Sequence, residues 1–167
     1  MNATSKAQFD SLTRLPNREL LQQQMHYALL RAHRDGGVMA VLCFHVEDIA
    51  IVNKRFGTAA GDNLLQVMAE RLRSGVRATD FAGRLQGDEF AVVLEGVTNE
   101  SHAEIILQRL KQRLNESIDL LESELPVRVN GGIALYPREG DSAEKLLELA
   151  LVKMRRSRRL TLIKSPA

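Results

Sequence analysis

Apolar positions recur at helical spacing from about residue 18 to 33, and the pattern stops at "DGG" (35–37), where a glycine takes the left-handed cap without strain. A first helix is predicted there. "VMAVLCFHV" (38–46) is a continuous apolar, β-branched run of strand length, the pattern of a central strand covered on both faces. Helical spacing returns in "EDIAIVNKRFG" (47–57) and "AAGDNLLQVMAERLRSGV" (59–76), which predict two helices divided by "GTAAGD" (57–62). "DFAGRL" (80–85) and "FAVVLEG" (90–96) then read as two strands joined by the turn "QGDE", in which Gly87 supplies a positive φ.

"SHAEIILQRLKQRLNESI" (101–118) predicts a long amphipathic helix with Ser101 as its cap and Glu104 three residues on. "PVRVNGGIALYP" (126–137) reads as a strand and "DSAEKLLELALVKMRR" (141–156) as a closing helix capped at Ser142. "LTLIK" (160–164) reads as a final short strand. The order β, α, β, β, α, β is that of a ferredoxin-like α+β sandwich extended by additional helices, in one domain over residues 1–167.

Composition narrows the function classes. A formal charge of +2, with most of the excess in "RRSRR" (155–159), is too small for a nucleic-acid footprint, and 4% aromatics without Trp leaves little for base stacking. No nucleic-acid polymer is expected as a partner. One cysteine, Cys43, sits inside the apolar strand, so a buried thiol in a reducing, cytoplasmic setting is expected. "MNATSKAQF" lacks a signal-peptide core and no apolar run approaches the roughly 20 residues that cross a bilayer, so no membrane contact by this domain is expected.

Four blocks in order carry a resemblance. "DSLTRLPNR" (10–18), "NKRFGTAAGDNLL" (53–65), "GRLQGDEFAVVL" (83–94) and "VNGGIALYP" (129–137) resemble, at family spacing, the signatures of the GGDEF domain of diguanylate cyclases, from residue 10 to about 158. The resemblance implies condensation of two GTP molecules, held on two facing domains, into cyclic di-GMP, with Mg²⁺ or Mn²⁺ as the cofactor. Such chemistry needs positioning, neutralised phosphate charge and a proton acceptor. By resemblance, Asp88 would be a metal ligand and candidate base and Glu89 the second acid of the turn. Gly87 would let phosphate approach the backbone, Asn53 and Asp62 would read the guanine edge, and the Val46 backbone would complete the metal site.

Taken alone, a Gly-Asp-Glu turn is a solvated turn, and Asn53 and Asp62 are cap or turn residues. "RATD" (77–80) lies at the spacing of the family's product-inhibition site, so Arg77 and Asp80, with Arg109 from the neighbouring helix, would bind cyclic di-GMP; the plain alternative is a local ion pair in a turn.

The chain departs from the pattern at several positions. His45 stands where the family has its first metal-binding Asp, and Glu47 could compensate if the strand continues. Gln86 replaces the first signature glycine, which would cost on the order of 1 kcal/mol if that position needed positive φ. Ala50 replaces a phosphate-contacting Lys. In "ALVKMRRSR" (150–158), Leu151 and Arg155 replace Asp and Tyr, Arg158 falls where a phosphate-binding Lys would be, and Leu162 replaces an Arg. These losses predict a degenerate GGDEF domain that binds GTP or cyclic di-GMP with little or no cyclase activity. The alternatives are an active cyclase with altered metal preference, or a nucleotide-free homodimerisation scaffold. The parent is expected to add a sensory or EAL phosphodiesterase domain.

Overall fold

The computed structural model describes residues 7–120 and 123–164, with backbone alone described for 123 and 159–164. The elements run α1 (Arg18–Asp35), β1 (Val38–Val46), α2 (Ile49–Phe56), α3 (Thr58–Gly75), β2 (Phe81–Gln86) and β3 (Glu89–Val97). They continue with α4 (Glu100–Leu114), β4 (Ile118–Leu120), β5 (Ser123–Leu125), β6 (Val129–Tyr136) and α5 (Ala143–Lys164).

Four strands form one antiparallel sheet in the order β2-β3-β1-β6, while β4 and β5 pair as a separate hairpin. This is the ferredoxin-like arrangement. Because successive side chains of a strand alternate between faces, β1 feeds two cores. Ala40, Leu42 and Phe44 pack with Leu64 and Met68 of α3 and Leu107 and Leu110 of α4. Met39, Val41 and Cys43 pack with Leu21 and Met25 of α1 and Leu146 and Ala150 of α5. The apolar run of β1 is thus unbroken because both of its faces are covered, and burial pushes the Cys43 thiol well above the ordinary range.

Local chemistry explains the ends. Asn17 caps α1 by accepting from the Leu20 N–H, and Gly36 closes the helix at φ 67°. Ser142 accepts from the Lys145 N–H at the start of α5, as expected. Four expectations are corrected. Asn99, not Ser101, caps α4, since its Oδ1 accepts from His102 N at 2.9 Å. Gly57 alone divides α2 from α3, because at φ 95° it can end one helix and begin the next, and Thr58–Asp62 are already helical. "LTLIK" continues α5 rather than forming a strand, since extending an existing helix carries no nucleation cost. Gln86 needs no positive φ: it ends β2 opposite Glu89, and the left-handed residue is Gly87 at φ 42°.

Candidate functional site

Register gathers the candidate residues at one end of the sheet. Gln86 lies opposite Glu89, Glu89 opposite His45, and His45 opposite Asn130, a row of four across all four strands. Alternation places Glu89 and His45 on the α5 face, and from that helix Arg155 reaches Glu89 and Arg158 reaches Glu47. The turn between β2 and β3 is braced from outside: Arg84 donates to the Gly87 carbonyl at 2.9 Å and to both oxygens of Asp10. Asp10 also accepts from the Thr13 N–H and hydroxyl; burial works against its charged form, but these bonds and Arg84 hold its carboxyl below the usual range. The N-terminal motif is therefore a support for the turn.

His45 stands between two carboxylates. Its Nε2 is 2.9 Å from Asp88 Oδ2 and its Nδ1 is 3.0 Å from Glu47 Oε1. A neutral ring has one N–H, so only the doubly protonated ring donates to both. The Asp88 hydrogen bond is the chief cause that raises the His45 pKa, with burial opposing it and Glu47 adding to it. Burial would raise Asp88, but the hydrogen bond and charge of His45 outweigh it and hold the carboxyl below its usual range. Glu47 is further engaged by the Asn130 amide and by Arg158 Nε at 3.2 Å. Glu89 accepts from Gln86 Nε2 at 2.9 Å and faces Arg155 at 3.6 Å. The Val46 N–H donates to the Asp88 carbonyl, which fixes the turn against the end of β1.

A divalent cation needs several hard oxygen donors converging on one point. Here an imidazole separates the two nearest carboxylates and donates to both, and among the described residues no group of three His, Cys, Asp or Glu side chains is placed to hold an ion. The residues present do not fit Mg²⁺ or Mn²⁺ in this arrangement. Glu47 lies beside His45 as its spacing suggested, yet its carboxylate is taken up by protein donors.

The His45 pair has a pH signature. A raised histidine pKa stabilises the fold fully below the unfolded value of 6.5 and loses that stability as pH rises through the folded value; a lowered Asp88 pKa keeps its contribution above 3.8 and loses it as pH falls further. Chemical denaturation across pH should show the margin of wild type over His45→Gln largest between these limits, on the order of 1–3 kcal/mol, and shrinking above neutrality. A margin that grew with pH would contradict the charged bridge.

On the α2–α3 corner, Asn53 Oδ1 is buried with no hydrogen-bond partner among the described residues. It lies against α3 at Gly61, where an added Cβ would come within 1.7 Å of that oxygen. Asp62, the next residue, is exposed. Asn53 and Asp62 therefore share one corner, with an unused acceptor at it. Ala50 is in the first turn of α2 and is exposed, while the side chain of Leu162 lies outside the described residues.

The second group of candidate residues lies at the other end of the sheet. Arg77 grips Asp80 with Nε and Nη2, each at 3.0 Å, and Asp80 is almost wholly buried. Arg77 also donates to the Glu95 carbonyl, while Arg31 of α1 forms a two-bond pair with the Glu95 carboxylate. Arg31, Arg77, Thr79 and Glu95 help line a cavity of about 500 Å³. Arg109 is not among its lining residues; it reaches back from α4 to the Gly75 carbonyl at 3.4 Å.

Asn130, Gln86 and Arg155 as partners of the acids, and Gly61 behind Asn53, were not singled out by sequence. The detectable signal was Asn130: an amide at the second position of an otherwise apolar strand, 5% exposed, requires a partner.

Among proteins of known kind, the chain is 36% identical over 138 residues to the bifunctional diguanylate cyclase/cyclic di-GMP phosphodiesterase MucR of Pseudomonas aeruginosa, covering 83% of this chain and 20% of MucR. It is 35% identical over 169 residues to the diguanylate cyclase TpbB of the same organism, covering 96% of this chain and 39% of TpbB. The chain thus spans less than half the length of these relatives. The crystal structure of a sensory box/GGDEF family protein from Caulobacter crescentus superposes with a TM-score of 0.88 at 35% identity, over 92% of this chain and 99% of that one. The family "Diguanylate cyclase, GGDEF domain" matches residues 7–160, and with the fold and the QGDEF turn in agreement, this chain belongs to the GGDEF domain family.

Proposed function

We propose that this domain is a regulatory guanine-nucleotide-binding module of cyclic di-GMP signalling with little or no cyclase activity of its own. The observation that carries the binding is the buried, unpartnered Oδ1 of Asn53. Guanine offers N1–H and N2–H₂ donors on its Watson–Crick edge, and a buried acceptor gains most from a ligand that satisfies it, by about 1–3 kcal/mol. Asp62 beside it would accept the second donor, whereas adenine, whose N1 is itself an acceptor and which has no N2 amine, offers neither of these donors.

The reduced chemistry follows from the donor set. The acids at 47, 88 and 89 are held by His45, Asn130, Arg158, Gln86 and Arg155, so none is free to act as base or ligand without breaking those bonds. A second reading concerns the other end of the sheet. The cavity beside Arg77 would take cyclic di-GMP, with the outer N–H groups of Arg77 facing guanine or phosphate while Asp80 holds the guanidinium in place. The relation to MucR, whose two activities include phosphodiesterase, supports a larger parent with such a domain beside this one.

Calorimetric titration with GTP, with and without Mg²⁺ and with ATP as control, tests the proposal. GTP-selective heat that Mg²⁺ does not sharpen is expected. Gly61→Ala, whose Cβ would displace the Asn53 amide, should weaken GTP binding by about ten- to a hundredfold while leaving the fold intact. No binding at millimolar GTP would remove the guanine reading and favour a scaffold. Cyclic di-GMP synthesis at high protein concentration with either Mg²⁺ or Mn²⁺ would remove the inactive one.

A further inference from the structure

Between α4, the start of β6 and α5 lies a second opening that the guanine corner does not use. It encloses about 300 Å³ and is lined by Lys111 of α4 and Asn115 at that helix's C-terminal cap, Arg128 and Asn130 at β6, Arg158 of α5, and Glu47. Three cations thus face one carboxylate. That carboxylate is already neutralised, since it accepts from His45, Asn130 and Arg158. Arg128 is anchored by Asp48, which is not among the lining residues, and an anchored guanidinium keeps further N–H groups to offer. Lys111 has no acidic partner among the described residues. Its stem lies over Gly131, where any Cβ would stand 3.3 Å from Lys111 Cδ, so the bare strand gives the lysine its place.

We propose that this opening is an anion site for a phosphoryl group. Its donors suit that chemistry: two forked guanidinium groups and an ammonium, on three separate elements, around a small concave space flanked by side-chain amides. A volume of about 300 Å³ is at the small end of ligand pockets, enough for an inorganic phosphate chain or a small phosphoester and too little for a whole dinucleotide. The phosphoryl group could arrive free or as the tail of a nucleotide.

Titration of the full chain with sodium pyrophosphate at fixed ionic strength tests it. Saturable binding is expected, weakened about tenfold by Lys111→Met, which keeps the apolar stem over Gly131 and removes the charge, and retained in Lys111→Arg. If a nucleotide tail is the source, GTP blocks pyrophosphate and Lys111→Met weakens both; if a free anion is, pyrophosphate binds beside GTP and GTP affinity is unchanged. Absence of saturable heat at millimolar pyrophosphate, or equal binding by wild type and Lys111→Met, overturns the site and leaves a solvated basic patch. Asn53 takes no part in the pyrophosphate titration, so its failure would leave the guanine reading standing.

Discussion

Gly132→Ala should cost this protein about 4 kcal/mol or more, enough to lower its melting temperature by roughly 10 °C. The added Cβ would stand 2.3 Å from Met154 N, 2.5 Å from the Ala150 carbonyl oxygen and 2.9 Å from the Lys153 carbonyl carbon. All three are backbone atoms, so no rotamer change relieves the overlap. Either α5 lifts off the sheet or β6 slides, and β6 is pinned because Gly132 pairs with Cys43 in the middle of β1. The usual gain from replacing a strand glycine, about 0.5–1 kcal/mol, does not offset this. Gly131→Ala is the internal control. Its Cβ would meet only side-chain carbons, Leu107 Cδ1 at 3.1 Å and Lys111 Cδ at 3.3 Å, which can give way, so a loss near 1 kcal/mol is expected. Thermal and urea unfolding of the two variants measure the difference. Equal costs would mean that α5 does not need this close approach, and with it the placing of Arg155 and Arg158 at the acids would lose its structural cause.

That close approach marks what the sequence could and could not convey. β1 was legible because seven apolar residues in a row, 38–44, at strand length read as a covered strand, and α1, β2, β3 and the closing helix followed from periodicity and caps. The guanine-reading role proposed for Asn53 and Asp62 came only from the family resemblance, since both are otherwise ordinary cap or turn residues. The bridge at His45 was not legible. It depends on which residues register brings opposite one another, and pairing across 40 or more positions is set by the whole sheet rather than by local pattern. The β4–β5 hairpin was missed because its three-residue strands are too short to show alternation. For Gln86 a cost was expected only if its position needed positive φ; it is an ordinary strand end, and the left-handed position of the turn is taken by Gly87.

His45→Asp should reverse the character of the site. In wild type the imidazole answers two carboxylates; the variant would remove that cation and set a third acid beside Glu47 and Asp88. Breaking a buried pair costs about 3–5 kcal/mol, and with Asp88 37% exposed the lower end applies, so the metal-free variant should be less stable than wild type by on the order of 3 kcal/mol at neutral pH. Three carboxylates converging on one point are, however, the donor set that a hard cation requires. Mg²⁺ or Mn²⁺ should therefore raise the variant's melting temperature in proportion to the logarithm of its concentration, while wild type stays flat. Differential scanning fluorimetry across metal concentrations, with chelator as baseline, reads both. An equal rise in wild type would mean that His45 yields to a cation and the acids are available for catalysis. A variant that folds but ignores metal would mean that Glu47, still held by Asn130 and Arg158, cannot turn toward the ion. If metal binding returns without cyclic di-GMP synthesis, the missing cation at Ala50 and the Gln86 side chain on Glu89 become the next barriers, because phosphate charge would still lack its counter-ion and the second acid would still be engaged.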